Sequence, residues 1–256
     1  MCPLPGRPAV TTSSGAGSVV ELRQRHLSLV RTLGFGLMAA LLILVFALLA
    51  GEMLEGDTRA FDMMLLRAAQ SLRADHPWVS ELMRDFSGLG STVVLTLFTA
   101  ITVGYLALVS TRTSALLVAA SASSGSICVT VFKAAFGRAR PDTVYAELVA
   151  TGLSFPSGHA TMSAVVFLTL GALMASTRIL WIERIYIVCA AALLTVLVGV
   201  SRVALGVHWA TDVLGGWAFG SAWAIAWLLL AGLIDRRRRG DPFAATPRPT
   251  RAAPPD

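Results

Sequence analysis

The chain has 256 residues, of which 55% are hydrophobic and only 14% are charged, and its formal net charge is +6. A soluble globular domain carries about 25% charged residues, so this composition excludes an ordinary soluble protein and also a disordered one. Because a membrane-spanning helix needs about 20 apolar residues, about half of the chain can lie in a bilayer as six helices. The composition therefore predicts an all-α, multi-pass membrane protein.

The N-terminal segment, residues 1–32, precedes the first apolar run. Its first 22 residues are rich in Pro, Gly, Ser and Thr, and the arginines that follow are typical of a cytoplasmic flank. The sequence therefore predicts a disordered cytoplasmic tail. A cleaved signal peptide is the alternative, but the apolar run Leu33–Ala50 is longer than a signal-peptide core. An uncleaved membrane anchor is the favoured interpretation.

Residues 51–90 form the only long polar interval between apolar runs. Within it, apolar residues recur at helical spacing, which predicts an amphipathic helix that either lies at the extracytoplasmic membrane surface or packs on the bundle. These residues are Phe61, Met64, Leu65, Ala68, Ala69 and Leu72.

Five further apolar runs complete a membrane domain over residues 33–234, and a basic, Pro-rich cytoplasmic tail is predicted over residues 235–256. Two of the runs have about 16 residues, so their helices either extend into the flanking polar sequence or lie in a thinned region of the bilayer. The runs cover residues 92–110, 114–132, 160–175, 185–200 and 213–234.

The distribution of basic residues predicts the orientation in the membrane. If the N-terminus is cytoplasmic, thirteen of the 21 Lys and Arg residues lie on the cytoplasmic side and eight on the other. Cytoplasmic loops carry an excess of basic residues, and the run Arg236–Arg239 next to the last span strengthens this bias. We therefore expect a plasma-membrane (inner-membrane) protein with both termini in the cytoplasm.

Three groups of charged and polar residues lie at helix ends on the extracytoplasmic side of this arrangement. Singly, each has an ordinary explanation: a snorkelling lysine, a helix-entry turn and a structural His–Asp pair. Together, so many cations beside apolar spans would repel one another unless an anion completes the site, and guanidinium groups match phosphate oxygens. The groups are Lys133 with Arg140-Pro141, Pro156-Ser157-Gly158-His159, and Ser201-Arg202 with His208 and Asp212.

The two histidines fit different steps of phosphoryl transfer. Asp212, four residues after His208, can fix the His208 tautomer so that one ring nitrogen attacks, and His159 can protonate the leaving oxygen. The backbone N–H groups of Ser157 and Gly158, at a helix N-terminus, are predicted to bind an anion. No pair of carboxylates remains for Mg²⁺, so we expect a covalent mechanism without a metal or cofactor.

The spacing of these residues resembles the type-2 phosphatidic acid phosphatase superfamily. The three groups match its motifs K-x₆-R-P, P-S-G-H and S-R-x₅-H-x₃-D in residue type, spacing and order. The resemblance implies a six-helix bundle, of the kind shared with haloperoxidases, with an extracytoplasmic active site. It also implies a phosphohistidine on His208, assisted by Asp212, and a general acid at His159. The phosphate-binding residues it implies are Lys133, Arg140, Ser157, Gly158 and Arg202.

The expected function is therefore hydrolysis of a lipid phosphate, with the bilayer and the lipid as the only predicted partners and nucleic acid excluded. Undecaprenyl diphosphate, phosphatidylglycerol phosphate and phosphatidic acid are candidate substrates. No residue selects among them, but the compact layout and the outward-facing site favour undecaprenyl diphosphate or a broad range of lipid phosphates. The sequence carries no signal for an oligomeric state. Arg138 lies outside the motifs and is a candidate for binding a second phosphate or a head group. The alternatives are a phosphotransferase that uses the same phosphohistidine and a non-catalytic lipid transporter.

Overall fold

The computed structural model describes residues 14–109 and 112–239, and helices account for all of the regular structure in these ranges. A short 3₁₀ turn covers residues 143–145, and a π-helical segment over residues 164–168 joins α6 to α7 in one continuous rod. The α-helices are α1 (Ser14–Glu55), α2 (Arg59–Asp75), α3 (Trp78–Leu89), α4 (Thr92–Val109), α5 (Arg112–Phe136), α6 (Gly158–Ser163), α7 (Thr169–Ser176), α8 (Trp181–Ala204) and α9 (Ala210–Arg239).

Six helical segments in the described part of the chain are long and apolar enough to cross a bilayer, which confirms the predicted fold class. Each segment extends past its predicted apolar run. The two runs of about 16 residues gain residues at both ends and reach 19 and 24 residues. The segments are Ser28–Glu55, Trp78–Val109, Arg112–Phe136, Gly158–Ser176, Trp181–Ala204 and Ala210–Asp235.

The two ends of the membrane domain differ from the predicted boundaries. Residues 14–32 are helical where the sequence predicts a disordered tail, and residues 1–13 lie outside the described ranges. Once a span is helical, each added residue gains one hydrogen bond at little cost, and Glu21–Arg25 are strong helix formers. α9 likewise continues past residue 234 to Arg239; the rest of the predicted C-terminal tail lies outside the described ranges.

The predicted surface segment 51–90 contains an amphipathic helix, α2, that buries two charged side chains and exposes large apolar ones. Phe61 and Leu72 on its apolar face are exposed, whereas Asp62 and Arg73 are buried against the bundle together with Leu66. A helix that lies on a bilayer surface with protein on its other side presents these two faces. The remainder of the segment, α3, is less polar than expected and forms one apolar stretch with α4.

An aromatic cluster lies beneath the end of the bundle that carries the motifs. The centroid of the Phe46 ring is 5.1 Å from that of Phe132, 5.6 Å from that of Phe155 and 5.5 Å from that of Phe219. Rings at these separations bury large apolar surfaces and interact favourably through their edges and faces. Phe46, Phe132 and Phe219 thereby join α1, α5 and α9. Because Phe155 is fully buried against them, the cluster also fixes the backbone just before the Pro156 motif.

A buried arginine on α2 fastens the segment between α5 and α6 to the end of α8. The guanidinium of Arg73 donates hydrogen bonds to the backbone carbonyls of Ala204 and Tyr145, and it pairs with Glu147 at 3.4 Å. Arg73 therefore anchors α2 to the bundle.

The turn between α8 and α9 passes so close to this segment that it requires glycine. Gly206 has a φ of 72°, and a Cβ at this position would lie 1.9 Å from the carbonyl oxygen of Tyr145. Gly137, at the end of α5, has a φ of 61°, but no described atom lies within 4 Å of where its Cβ would be. The two glycines therefore share the same backbone requirement and differ in the space around them.

We expect Gly206→Ala to lower the melting temperature of the detergent-solubilised protein much more than Gly137→Ala. Alanine in a left-handed conformation costs about 1–2 kcal/mol at either position. Only at residue 206 does the added methyl group also collide with the backbone of another segment. Thermal unfolding of both variants beside the wild type measures the difference, and equal shifts would contradict the close approach of the turn to Tyr145.

Candidate active site

The three predicted motifs meet at one end of the bundle, where α5 and α8 end and α6 and α9 begin. The backbone N–H of Ser157 donates to the carbonyl oxygen of Asp212 at 3.0 Å, which joins the second motif to the third. Arg140 Nη1 lies 3.0 Å from His208 Nε2, which joins the first motif to the third. The fold therefore brings together residues that are up to 79 positions apart, from Lys133 to Asp212.

The Asp212 carboxylate is fully buried and accepts hydrogen bonds from four groups. Its Oδ2 accepts from the Ser154 hydroxyl, from the Trp209 backbone N–H at 3.0 Å and from His208 Nδ1 at 3.2 Å. Its Oδ1 accepts from Arg138 Nη1 at 2.6 Å. So many donors favour the charged carboxylate and fix its orientation.

His208 is held in one tautomer by the groups at its two ring nitrogens. A guanidinium can only donate, so Nε2 accepts from Arg140 and carries a lone pair, while the proton lies on Nδ1 and is donated to Asp212. Burial lowers the pKa of His208 to about 4; the hydrogen bond and charge of Asp212 oppose this shift, and the charges of Arg140 and Arg202 add to it. The ring is therefore neutral at neutral pH, with the Nε2 lone pair directed at the cation cluster.

Lys133 and Arg140 are anchored through backbone carbonyls. The ammonium group of Lys133 donates to the carbonyls of Leu153 and Ser154. Arg140 donates through Nε to Gly152 at 3.0 Å and through Nη1 to Val207 at 2.8 Å, and burial lowers its pKa. Within the described part of the chain, the Arg140 Nη2 has no hydrogen-bond partner, so its two N–H groups can bind an oxyanion.

Arg202 and Ser157 supply two buried polar atoms without partners among the described residues. Arg202 is 7% exposed, and its Nη1 donates to the Ser87 hydroxyl, but its Nε makes no hydrogen bond. The Ser157 Oγ is likewise buried and unpaired. Because a buried, unsatisfied donor is costly, an anion that accepts from both groups would stabilise this arrangement. The residues present therefore fit a bound phosphate.

The start of α6 differs in one respect from the sequence prediction. The Ser157 N–H is not available for an anion, because it already donates to the Asp212 carbonyl. Gly158, the first residue of α6, retains an N–H that the helix itself does not use. His159 follows, half-buried, and the side chains that act on it electrostatically are those of Arg202, His208, Arg140 and Lys133. All eight predicted site residues thus lie in one cluster.

Ser154, Arg138 and Asp62 belong to this cluster, but sequence reasoning did not identify their contacts. Arg138 was a candidate for a second phosphate; its guanidinium instead bridges Asp212 and Asp62, each at 2.6 Å. The position of Asp62 on the polar face of α2 was the one sequence signal available for it.

No group of three or more His, Cys, Asp or Glu side chains within residues 14–109 and 112–239 could hold a metal ion.

A cavity of about 610 Å³ opens beside Arg140. Met53 and Met63, where α1 and α2 meet, give it an apolar wall, and Arg59 and Asp142 give it a polar one. A ligand with a polar head and an apolar tail matches these two walls. The cavity is therefore lined both by Arg140 of the cation cluster and by apolar side chains of α1 and α2.

The chain is similar in sequence to known phosphatases of one family. Residues 113–235 match the PAP2 superfamily model. The chain is 32% identical over 204 residues to phosphatidylglycerophosphatase B of Bacillus subtilis, a match that covers 77% of this chain and 95% of that protein. It is 42% identical over 71 residues to an undecaprenyl-diphosphatase of Sulfolobus acidocaldarius, 28% of this chain and 30% of that protein.

Two solved structures share the fold. The crystal structure of a transmembrane PAP2-type phosphatidylglycerolphosphate phosphatase from Bacillus subtilis superposes with a TM-score of 0.69 at 29% identity, covering 79% of this chain and 98% of that one. The structure of Aquifex aeolicus LpxE superposes with a TM-score of 0.51 at 23% identity, covering 66% and 94%, and supports the fold alone. The chain therefore belongs to the PAP2 superfamily, in which it is a multi-pass membrane phosphatase.

Proposed function

We propose that this phosphatase removes phosphate from a membrane lipid through a covalent phosphohistidine on His208. The observation that carries the proposal is the set of contacts that the two ring nitrogens of His208 make. Nδ1 donates a hydrogen bond to Asp212, and the Nε2 lone pair faces Arg140. A nucleophile held by a carboxylate on one side and surrounded by cations on the other is the arrangement that covalent phosphoryl transfer requires.

In the first step, the bound phosphate accepts the hydrogen bond that Arg140 Nη1 otherwise donates to His208 Nε2. The freed Nε2 lone pair attacks phosphorus, and the bond between phosphorus and the leaving oxygen breaks. The negative charge of the bound phosphate offsets the surrounding cations and keeps His159 protonated in the complex. His159 donates this proton to the leaving oxygen, so the lipid leaves as an alcohol or, from a diphosphate, as a monophosphate. The ring of His208 becomes cationic, and the Asp212 carboxylate stabilises it. The cations and the donors at Ser157 and Gly158 stabilise the charge on the transferring phosphoryl oxygens. The cations are Lys133, Arg140 and Arg202.

In the second step, water attacks the phosphoryl group, and the bond between nitrogen and phosphorus breaks. His159, now neutral, accepts the proton that this water loses, and inorganic phosphate leaves. His208 and His159 thereby return to their starting states. The cycle needs no group beyond the side chains of this cluster, so we propose that it is independent of metal ions.

We propose a phosphomonoester lipid of the phosphatidylglycerol phosphate type as the substrate, with undecaprenyl diphosphate second. The phosphatidylglycerophosphatase relative matches along 95% of its length, whereas the diphosphatase relative matches along 30%. The cavity beside Arg140, with its apolar wall at Met53 and Met63, offers room for the part of the head group beyond the phosphate.

The excess of basic residues in the predicted cytoplasmic segments supports a proposed orientation in the inner membrane. Both termini would lie in the cytoplasm, and the active site would face the outer leaflet. A lipid could then bring its head group to the helix ends while its chains stay in the bilayer.

A phosphotransferase would use the same phosphohistidine but pass the phosphoryl group to an acceptor other than water. Release of inorganic phosphate from purified protein, with and without candidate acceptor alcohols, distinguishes the two reactions. Hydrolysis predicts stoichiometric phosphate release without an acceptor, and release that depends on an acceptor would overturn this part of the proposal.

We expect His208→Asn to reduce phosphate release from every lipid in a panel of monophosphates and diphosphates by more than about a thousandfold, because the nucleophile is removed. His76→Asn, at an exposed histidine on the same side of the bundle, is the matched control and should behave as wild type. A His208→Asn variant that still hydrolyses lipid phosphates at the wild-type rate would rule out the covalent route, and one that still moves lipids without hydrolysis would favour the transporter.

We expect EDTA to leave the rate of phosphate release within about twofold of its value in buffer, since the cations of the site are side chains. The measurement uses purified protein dialysed against EDTA and then supplied with Mg²⁺ as a comparison. Loss of activity in EDTA that Mg²⁺ restores would contradict the metal-independent mechanism.

A further inference from the structure

We propose that Asp62 is a positioning residue for phosphoryl transfer: it holds Arg138, and Arg138 in turn holds the Asp212 carboxylate that orients His208. The inference rests on the proposed function, because it assumes that His208 carries the phosphoryl group. Asp62 belongs to α2, outside the residues 113–235 that the family model matches. It is therefore a contribution of the surface helix to a site that is otherwise built by the bundle.

The burial of Asp62 is the first observation that supports this role. Its side chain is only 1% exposed, although much of α2 lies on the outside of the bundle. A carboxylate so deeply buried is costly unless it is paired and hydrogen-bonded. Asp62 Oδ2 lies 2.6 Å from Arg138 Nη2, and the other terminal nitrogen of the same guanidinium lies 2.6 Å from Asp212 Oδ1. One planar fork thus connects two buried carboxylates.

A second set of contacts ties Asp62 to the first turn of α9. Its Oδ1 accepts from the backbone N–H of Thr211 at 2.9 Å, and its Oδ2 accepts from the Thr211 hydroxyl at 2.7 Å. That hydroxyl oxygen in turn accepts from Arg138 Nη1 at 2.8 Å. Because Thr211 directly precedes Asp212, Asp62 fixes the catalytic carboxylate through both the guanidinium and the backbone.

The charges explain why a second carboxylate matters. Before attack, two carboxylates, one guanidinium and a neutral His208 ring leave this group of four side chains with one negative charge. Phosphorylation makes the ring cationic, so the group becomes neutral. Without Asp62 the same step would change the group from neutral to positive, beside the cations Lys133, Arg140 and Arg202. Asp62 therefore offsets the positive charge of Arg138, so that the negative charge of Asp212 can stabilise the cationic ring.

Arg73 provides a matched comparison on the same helix. It is also buried, at 6% exposed, and it also joins α2 to the bundle. Its partners, however, are two backbone carbonyls and Glu147, and none of them contacts Asp212 or His208. Loss of Arg73 therefore removes an anchor of α2 without altering the charge beside the nucleophile.

The test compares Asp62→Asn, Arg73→Gln, Arg138→Gln and the double variant Asp62→Asn/Arg138→Gln, with His208→Asn as the inactive reference. Each is purified in detergent, and its kcat and KM for a short-chain phosphatidylglycerol phosphate are measured below its melting temperature. Asp62→Asn is expected to lower kcat at least about tenfold and to leave KM within about twofold of the wild-type value. A loss of this size is typical when a residue that orients a functional side chain is removed. Arg73→Gln should lower the melting temperature and keep kcat within about twofold.

The double variant tests how far Asp62 acts through Arg138: the part of its effect that passes through the guanidinium is already lost in Arg138→Gln, so the combined loss of kcat should be smaller than the product of the two single losses. An unchanged kcat in Asp62→Asn, multiplicative losses in the double variant, or an equal loss of kcat in Arg73→Gln would each overturn the proposal. If Asp62→Asn does not fold, Thr211→Val removes the hydroxyl that joins Asp62 and Arg138, and it should lower kcat several-fold; no loss would overturn the role. Activity that survives in His208→Asn would instead refute the proposed function.

Discussion

The buried carboxylate of Asp212 is the interaction on which the rest of the site depends. Its carboxylate accepts hydrogen bonds from His208, Ser154, Arg138 and the Trp209 N–H, and its backbone carbonyl accepts one from the N–H of Ser157. Through these contacts one residue at the start of α9 is joined to the second and third motifs and, through Arg138, to the segment that carries Arg140. A fully buried charge is stable only when its partners are in place, so the carboxylate and the geometry around it are established together.

The cations around this carboxylate impose the opposite requirement. Lys133, Arg140 and Arg202 lie at the ends of apolar helices, where their charges repel one another and where Arg202 retains an unpaired buried Nε. A phosphate group meets both needs, since it neutralises the cations and accepts from the unpaired donors. The fold keeps these groups in place without a ligand through backbone carbonyls, through the Ser87 hydroxyl and through the aromatic cluster at Phe46. The site is therefore preorganised for its substrate, which is the main source of rate enhancement in phosphoryl transfer.

The sequence was sufficient to predict the six spans and the eight motif residues, because apolar runs and fixed spacings report directly on both. It could not predict how donors and acceptors are paired. The Ser157 N–H and the Arg138 guanidinium looked available for phosphate, and each is used inside the protein once α9 and α2 are in place. Asp62 was one of seven acidic residues in a polar interval, and only the packing of α2 shows which one is buried. The helical state of residues 14–32 was missed for a local reason, since composition does not register growth of a helix from an adjoining span.

A covalent phosphohistidine determines the stereochemical course of the reaction at phosphorus, and this course can be measured. The measurement uses a lipid thiophosphate monoester made chiral with oxygen isotopes and hydrolysed in isotopically labelled water. Attack by His208 followed by attack of water gives two in-line displacements, so we expect retention of configuration in the released thiophosphate. Direct attack of water on the lipid phosphate would give inversion, and inversion would rule out the covalent intermediate.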